Sequence, residues 1–126
     1  MEQPSAAMLV IGDELLSGRT HDANMHYLAK ELTEIGINLT EARFIRDDPA
    51  AIVSSIIELS KRFDYLFTSG GIGPTHDDIT TDCVAEAFEK KASIRPDALK
   101  ILQEYYDGKD IELNEARLRM ARIPET

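Results

Sequence analysis

The residues best suited to chemistry lie in the run Ser69-Gly70-Gly71-Ile72-Gly73-Pro74-Thr75-His76-Asp77-Asp78-Ile79-Thr80. Gly70, Gly71 and Gly73 let the backbone approach a ligand closely and turn its N–H groups toward an anion. The adjacent carboxylates of Asp77 and Asp78 close the run. A donor-rich backbone beside an acidic pair suits a polyphosphate-type ligand with a metal ion. It also suits a ligand that carries both anionic and N–H donor groups. His76 has the chemistry of a general acid, a base or a metal ligand, although a loop histidine is more simply a solvated side chain.

The elements around this run form a pattern. Ala6 to Ile11 is a continuous apolar stretch ending at Gly12, as expected of a strand buried on both faces. A polar loop is expected over Gly12-Asp13-Glu14-Leu15-Leu16-Ser17-Gly18-Arg19-Thr20. From Asp22 to Ile35, Met25, Leu28, Ala29, Leu32 and Ile35 recur at helical spacing, and Gly36 is a natural stop. Asp22 is a natural cap, and Asn24 faces the ligand edge if the helix begins there. Ile37 to Ile45 reads as a second strand, with Ile37 and Leu39 on one face.

Asp47-Asp48-Pro49 then signals a helix start, with Ile52, Val53, Ile56 and Ile57 as its buried stripe. Phe63 to Thr68 is the third strand, and Cys83 to Phe88 is helical. The last third is expected to be helical. Pro96 opens a helix with Leu99, Leu102 and Tyr105 inward, ending near Gly108. Asn114 caps a short final helix whose Glu115 sits early and whose Arg117, Arg119 and Arg122 sit late, matching the helix dipole.

Strand alternating with helix predicts an α/β fold with a mainly parallel sheet wrapped by helices. Ligands bind such sheets beyond the carboxyl ends of the strands. The loops after Ile11, Ile45 and Thr68 should converge there, carrying an acidic rim of Asp13, Glu14, Asp47, Asp48, Asp77 and Asp78. Carboxylates in this position have two physical uses. They can hold a hard ion such as Mg²⁺ that bridges phosphate oxygens. Alternatively, one can accept paired N–H bonds from a 2-amino-pyrimidinone ring, as in guanine and pterins. Asp48 is read first as a helix cap.

Several chemistries are disfavoured. The glycine run lacks the lysine of a Gly-x-x-x-x-Gly-Lys phosphate loop and the Gly-x-Gly-x-x-Gly spacing of dinucleotide folds. Ser69-Gly70 stands where a receiver domain would end its third strand in aspartate, and there is no Gly-x-Ser-x-Gly elbow. The lone Cys83 reads as a small buried hydrophobe and fits a reducing compartment.

The 126 residues, 43% of them hydrophobic and 29% charged, fit a single folded domain. A net charge of −9 argues against non-specific nucleic-acid binding. The N-terminal apolar run is too short to cross a membrane and has no basic residue before it, so the default location is the cytoplasm.

Gly12-Asp13-Glu14-Leu15-Leu16-Ser17-Gly18, Asp22-Ala23-Asn24, Asp47 and the Ser69–Thr80 run together resemble the molybdopterin-binding domain. That domain occurs in MoaB- and Mog-type molybdenum-cofactor proteins, in gephyrin-like proteins, in CinA (competence/damage-inducible) proteins and at the N-terminus of some eukaryotic FAD synthases. Gly-Pro-Thr-His-Asp-Asp at 73–78 is more similar to the CinA and FAD-synthase branch. The resemblance implies a three-layer α/β/α domain with functional acids at Asp47 and Asp78. Its ligand-contacting positions would be Gly12, Asp13, Glu14, Ser69, Gly70, Gly71, Gly73, Thr75 and Thr80, with phosphate cradled by the N–H groups of Gly70 to Gly73. Asp47, Asp77 and Asp78 would hold a divalent metal, Mg²⁺ or a similar ion.

The implied partner is a small-molecule pterin, molybdopterin included, or a nucleotide. The implied activity is metal-dependent hydrolysis of a nucleotide pyrophosphate such as ADP-ribose or FAD. The alternatives are a non-catalytic molybdopterin-binding module and an adenylyltransferase role in molybdenum-cofactor biosynthesis. The family commonly forms dimers or trimers. It also continues past the segment resembling Asn114–Glu125 with further strands and a second glycine-bearing loop. The 126-residue domain is therefore expected to be incomplete at its C-terminus.

Overall fold

A computed structural model describes residues 3–109 and 111–125. They divide into two compact units, one running up to Gly70 and the other starting at Gly71.

The first unit holds β1 (Ser5–Ile11), a one-turn α1 (Asp13–Leu16), α2 (Asn24–Glu34), β2 (Asn38–Ile45), α3 (Pro49–Arg62) and β3 (Tyr65–Ser69). The strands form a parallel sheet in the order β2-β1-β3. The central β1 is buried from Ala6 through Ile11, as its unbroken apolar run predicts. Burial of side chains such as Leu9, Val10 and Ile11 stabilises the unit by about 1.5–3 kcal/mol each.

β2 and β3 lie on opposite sides of β1, so the chain reverses direction along the sheet. With right-handed crossovers, that reversal puts α2 and α3 on opposite faces. The register aligns Ile11 with Ile45 and Val10 with Ser69, so all three strands end at one edge. At the other edge, Ser5 donates its N–H and hydroxyl to the Asp64 carboxylate, at 2.8 and 3.1 Å.

Several boundaries differ from the sequence reading. Asp13–Leu16 is a turn of helix inside the expected polar loop, closed by the Ser17 N–H donating to the Asp13 carbonyl at 3.0 Å. Ile37 lies outside β2 and donates its N–H to the Leu32 carbonyl, extending the C-terminal turn of α2. In α3, Asp48 accepts the Ala51 N–H at 3.2 Å with Pro49 in the first turn, the cap the sequence predicts. Its buried face carries Ile52, Ser55, Ile56 and Leu59, whereas Ile57 is exposed. The helical period rotates Ile57 away once Ile52, Ile56 and Leu59 set the stripe. Phe63 follows that helix as its cap, and β3 begins at Tyr65.

The second unit holds α4 (Thr80–Ala87), β4 (Ala92–Ile94), α5 (Pro96–Asp107), α6 (Glu115–Leu118), a 3₁₀ turn (Arg119–Ala121) and β5 (Arg122–Pro124). β4 and β5 pair antiparallel, which corrects the expectation of an all-helical last third. Each is only three residues long, too short for alternation to stand out in the sequence. Arg122 forks onto Asp82 at 2.8 and 3.4 Å, an ion pair where a helix-dipole role was expected. In α5, Leu99 and Leu102 are half-buried, but Tyr105 is 56% exposed and Tyr106 takes the inner position. Cys83 is buried, as expected of a small apolar side chain.

Candidate functional site

At the carboxyl edge of the first unit, Gly12 extends β1 by donating its N–H to the Ile45 carbonyl at 3.0 Å. That bond brings the next residue, Asp13, level with Asp47 after β2. The two aspartates brace each other. The Asp13 N–H donates to Asp47 Oδ2 at 3.2 Å, and the Asp47 N–H donates to Asp13 Oδ1 at 3.0 Å. Arg46 Nε also reaches Asp13 Oδ1, at 3.4 Å. The Asp47 N–H, followed by the Arg46 charge, holds the Asp13 carboxyl below its ordinary range. Glu14 folds back over Gly12, where a Cβ would lie 2.7 Å from its Oε1.

Asn24 opens α2 and donates from its side-chain amide to the Ser69 hydroxyl at 2.9 Å, so the helix begins where it had to for Asn24 to reach this edge. Asp22 accepts from the N–H groups of Asn24 and Met25, at 3.3 and 3.1 Å, in the capping role expected of it. Gly70 turns the chain at the end of β3 with φ +97°, and a Cβ there would collide with the Ile11 carbonyl. Only glycine satisfies both conditions.

The remaining loop residues belong to the second unit. Gly71 has φ +68°, and its carbonyl accepts the Thr80 N–H at 3.0 Å, closing the base of the loop. A Cβ on Gly71 would run into the Thr80 side chain. Thr80 itself is 1% exposed. Between these residues, Asp78 Oδ2 accepts both the N–H and the hydroxyl of Thr75, at 2.9 and 2.8 Å. The Asp78 N–H returns a bond to the Thr75 carbonyl at 3.1 Å. Burial pushes the Asp78 carboxyl up, but the Thr75 hydroxyl, the N–H groups of Thr75 and Gly73 and the Arg119 charge outweigh it, leaving the group below its ordinary range. Gly73 packs against this carboxylate, and a Cβ there would lie 2.8 Å from Oδ2.

Asp77 differs sharply from its neighbour. Its side chain is 83% exposed and meets His76, 88% exposed, at 3.4 Å. The structure thus brings Gly12, Asp13, Glu14, Asp47, Ser69 and Gly70 to one edge of the first unit. It gathers Gly71, Gly73, Thr75, Asp78 and Thr80 into one loop of the second, with Asp77 at the tip. Among the described residues, no three His, Cys, Asp or Glu side chains are gathered so as to hold a metal ion. Sequence reasoning missed the Asp13–Asp47 brace and the Asn24–Ser69 bond, both long-range contacts without a local sequence signal.

Comparison with known proteins places these features in a family. Residues 7–121 match the model described as "Probable molybdopterin binding domain". A "Probable FAD synthase" of Caenorhabditis elegans is 46% identical over 87 residues, covering 69% of this chain and 17% of that protein. The crystal structure of CinA from Thermoplasma acidophilum, a protein described there as of unknown function, superposes with a TM-score of 0.85 at 31% identity, covering 95% of this chain and 70% of that one. MoaB from Pyrococcus furiosus, described as tungsten-cofactor synthesizing, shares the fold with a TM-score of 0.64 at 20% identity, over 86% of this chain and 66% of its own. The chain spans about half or less of the length of the curated relatives it matches. No helix among the described residues is long and apolar enough to cross a membrane. The parallel sheet with its acidic carboxyl edge, the Gly-Gly-x-Gly loop that clamps its own aspartate and the family match over residues 7–121 agree: this chain belongs to the molybdopterin-binding domain family, as a CinA-like member similar in sequence to part of a probable FAD synthase and in fold to MoaB.

Proposed function

We propose that the domain binds a nucleotide pyrophosphate or a pterin at the Gly70–Gly73 loop and, with a divalent ion, hydrolyses the phosphoanhydride of an ADP-ribose- or FAD-like substrate. The observation that carries this reading is the state of Asp78. A half-buried carboxylate that takes two bonds from Thr75 through a single oxygen is fixed in orientation and kept ionised. Its other oxygen has acceptor capacity for a ligand or an ion. Asp47 resembles it, because its Oδ2 takes the Asp13 N–H while the carboxylate keeps a second oxygen. Asp13 likewise takes two bonds through one oxygen, from the Asp47 N–H and from Arg46, and through the first of these it braces the Asp47 backbone.

Asp47, Asp77 and Asp78 present hard oxygen donors that fit Mg²⁺ in type. Mg²⁺ is commonly held by one or two carboxylates together with substrate phosphates and water. When bound, the ion would polarise the phosphoanhydride and activate water. The chain's own part is to orient the ligand through backbone N–H groups and to keep Asp78 ionised.

A second reading, in which a carboxylate recognises a pterin ring directly and no reaction follows, rests on the remaining acceptor oxygen of the clamped Asp78. Assays of ADP-ribose and FAD with Mg²⁺ and with chelator separate the two. Turnover that requires the metal and is lost in Asp47→Asn and Asp78→Asn supports hydrolysis. Absence of turnover with either substrate removes it, and pterin binding that survives chelation then supports the module. A cytoplasmic location and assembly into a dimer or trimer belong to the same proposal.

A further inference from the structure

A cleft of about 700 Å³ lies entirely within the second unit, lined by Thr75, His76, Asn114, Glu115, Arg117 and Arg119, with small neighbours between them. It opens beside the clamped loop, on residues whose sequence signal was read as helix-dipole and solvation chemistry. The structure gives these arginines a different character. Arg43, Arg46, Arg62, Arg95 and Arg122 each meet a carboxylate. Arg117 instead donates to the Glu112 carbonyl at 2.8 Å, and its guanidinium lies 5.6 Å from the centroid of the Tyr106 ring. Arg119 reaches the Asp78 carbonyl at 3.5 Å.

Among the described residues, neither of these two guanidinium groups is within ion-pair distance of a carboxylate. Neutral partners fix a guanidinium in place without cancelling its charge, although part of the Arg119 field falls on the Asp78 carboxylate, and each group has five N–H donors. The short helix beside them is not the source of attraction. Its N-terminus is already engaged, because Asn114 Oδ1 accepts the Arg117 N–H at 2.9 Å.

We propose that this cleft is a binding site for a phosphate-bearing anion, with Arg117 and Arg119 as its charge partners and His76 as a further donor at its wall. In a chain with a net charge of −9, two arginines anchored by carbonyls and facing one cleft provide the local positive field that such an anion needs. Forked guanidinium groups match phosphate oxygens better than a point charge does. Glu115, on the same wall, opposes the anion and limits its affinity. The site needs no metal.

The test is calorimetric titration of the full chain with inorganic pyrophosphate and, separately, with ADP-ribose, both in excess chelator. Saturable binding of at least one is expected, and whichever binds tighter identifies free or ligand-borne phosphate as the better occupant. The double variant Arg117→Gln/Arg119→Gln should weaken it by about tenfold or more. Glu115→Gln should tighten it, a gain that misfolding cannot produce. Arg122→Gln, which breaks the separate ion pair to Asp82, should leave it within about twofold of the wild type. No binding in chelator, or equal affinity in the wild type and the double variant, overturns the proposal.

Discussion

Two pairs of aspartates in this domain, one distant in sequence and one adjacent, are used in opposite ways. Asp13 and Asp47 are 34 residues apart, yet each accepts the backbone N–H of the other across the carboxyl edge of the parallel sheet. Asp77 and Asp78 are adjacent, yet they share nothing. Asp78 is clamped by Thr75, while Asp77 stands in solvent beside His76. Adjacency therefore says little about which carboxylates work together. What decides it is the backbone N–H groups each element end leaves for them to bind.

The same contrast extends to the units that carry the pairs. The first is organised by a strand buried along nearly its whole length. The second relies more on caps, turns and the Arg122–Asp82 fork, and its α5 has no buried residue. The largest expected effect follows from that difference. Leu9→Ala in β1 should lower the unfolding free energy by about 2–5 kcal/mol, as a fully buried leucine does when truncated. Leu102→Ala in α5 should cost about 1 kcal/mol, the general scale for substitutions away from a closed core. Urea denaturation of the two variants breaks the comparison if their midpoints fall equally.

The next effect concerns the loop. Gly71→Ala imposes a side chain at φ +68° and drives its Cβ into Thr80, a strain of about 1–3 kcal/mol. The expected result is a lower thermal midpoint together with weakened ligand binding, because the base of the loop opens. Ile72→Ala, at a neighbouring residue that is 65% exposed, should leave the midpoint unchanged.

These effects track how much of each region was legible in the sequence. β1 and the α3 cap were readable because burial on both faces and an Asp-Pro start leave local marks, at Ala6–Ile11 and Asp48-Pro49. The glycine loop was readable because Gly70 and Gly71 occupy backbone conformations that other residues resist. β4 and β5 were not, since a three-residue strand containing Arg122 carries no periodic signal. Nor was the division of labour among the acids. The Asp13–Asp47 brace depends on the register that sets Ile11 beside Ile45, and no spacing along the chain encodes that register.

A smaller effect sharpens the account of the two carboxylates held below their ordinary range, Asp13 and Asp78. A lowered folded-state value means that the stabilisation is present above the unfolded value of about 3.9 and is lost as pH falls through the folded one. Thermal midpoints should therefore be flat from neutral pH to about 5 and fall below about 4, with a shallower fall in Asp78→Asn than in the wild type. Equal slopes would contradict the clamp. The smallest effect lies on the surface. Glu58→Gln removes one partner of Arg43 and Arg62 and should shift the midpoint only slightly, with the shift disappearing in about 1 M salt.

Under the proposed function, Asp78 serves the ligand, whereas Asp13, first expected to contact it, serves the fold. Calorimetric titration of ADP-ribose with Mg²⁺ into the wild type, Asp78→Asn and Asp13→Asn tests it directly, with the thermal midpoint of each recorded alongside. The account predicts that Asp78→Asn weakens binding by about tenfold or more, and that Asp13→Asn mainly lowers the midpoint while binding persists below it. Wild-type affinity in Asp78→Asn, with binding lost in a folded Asp13→Asn, would contradict it.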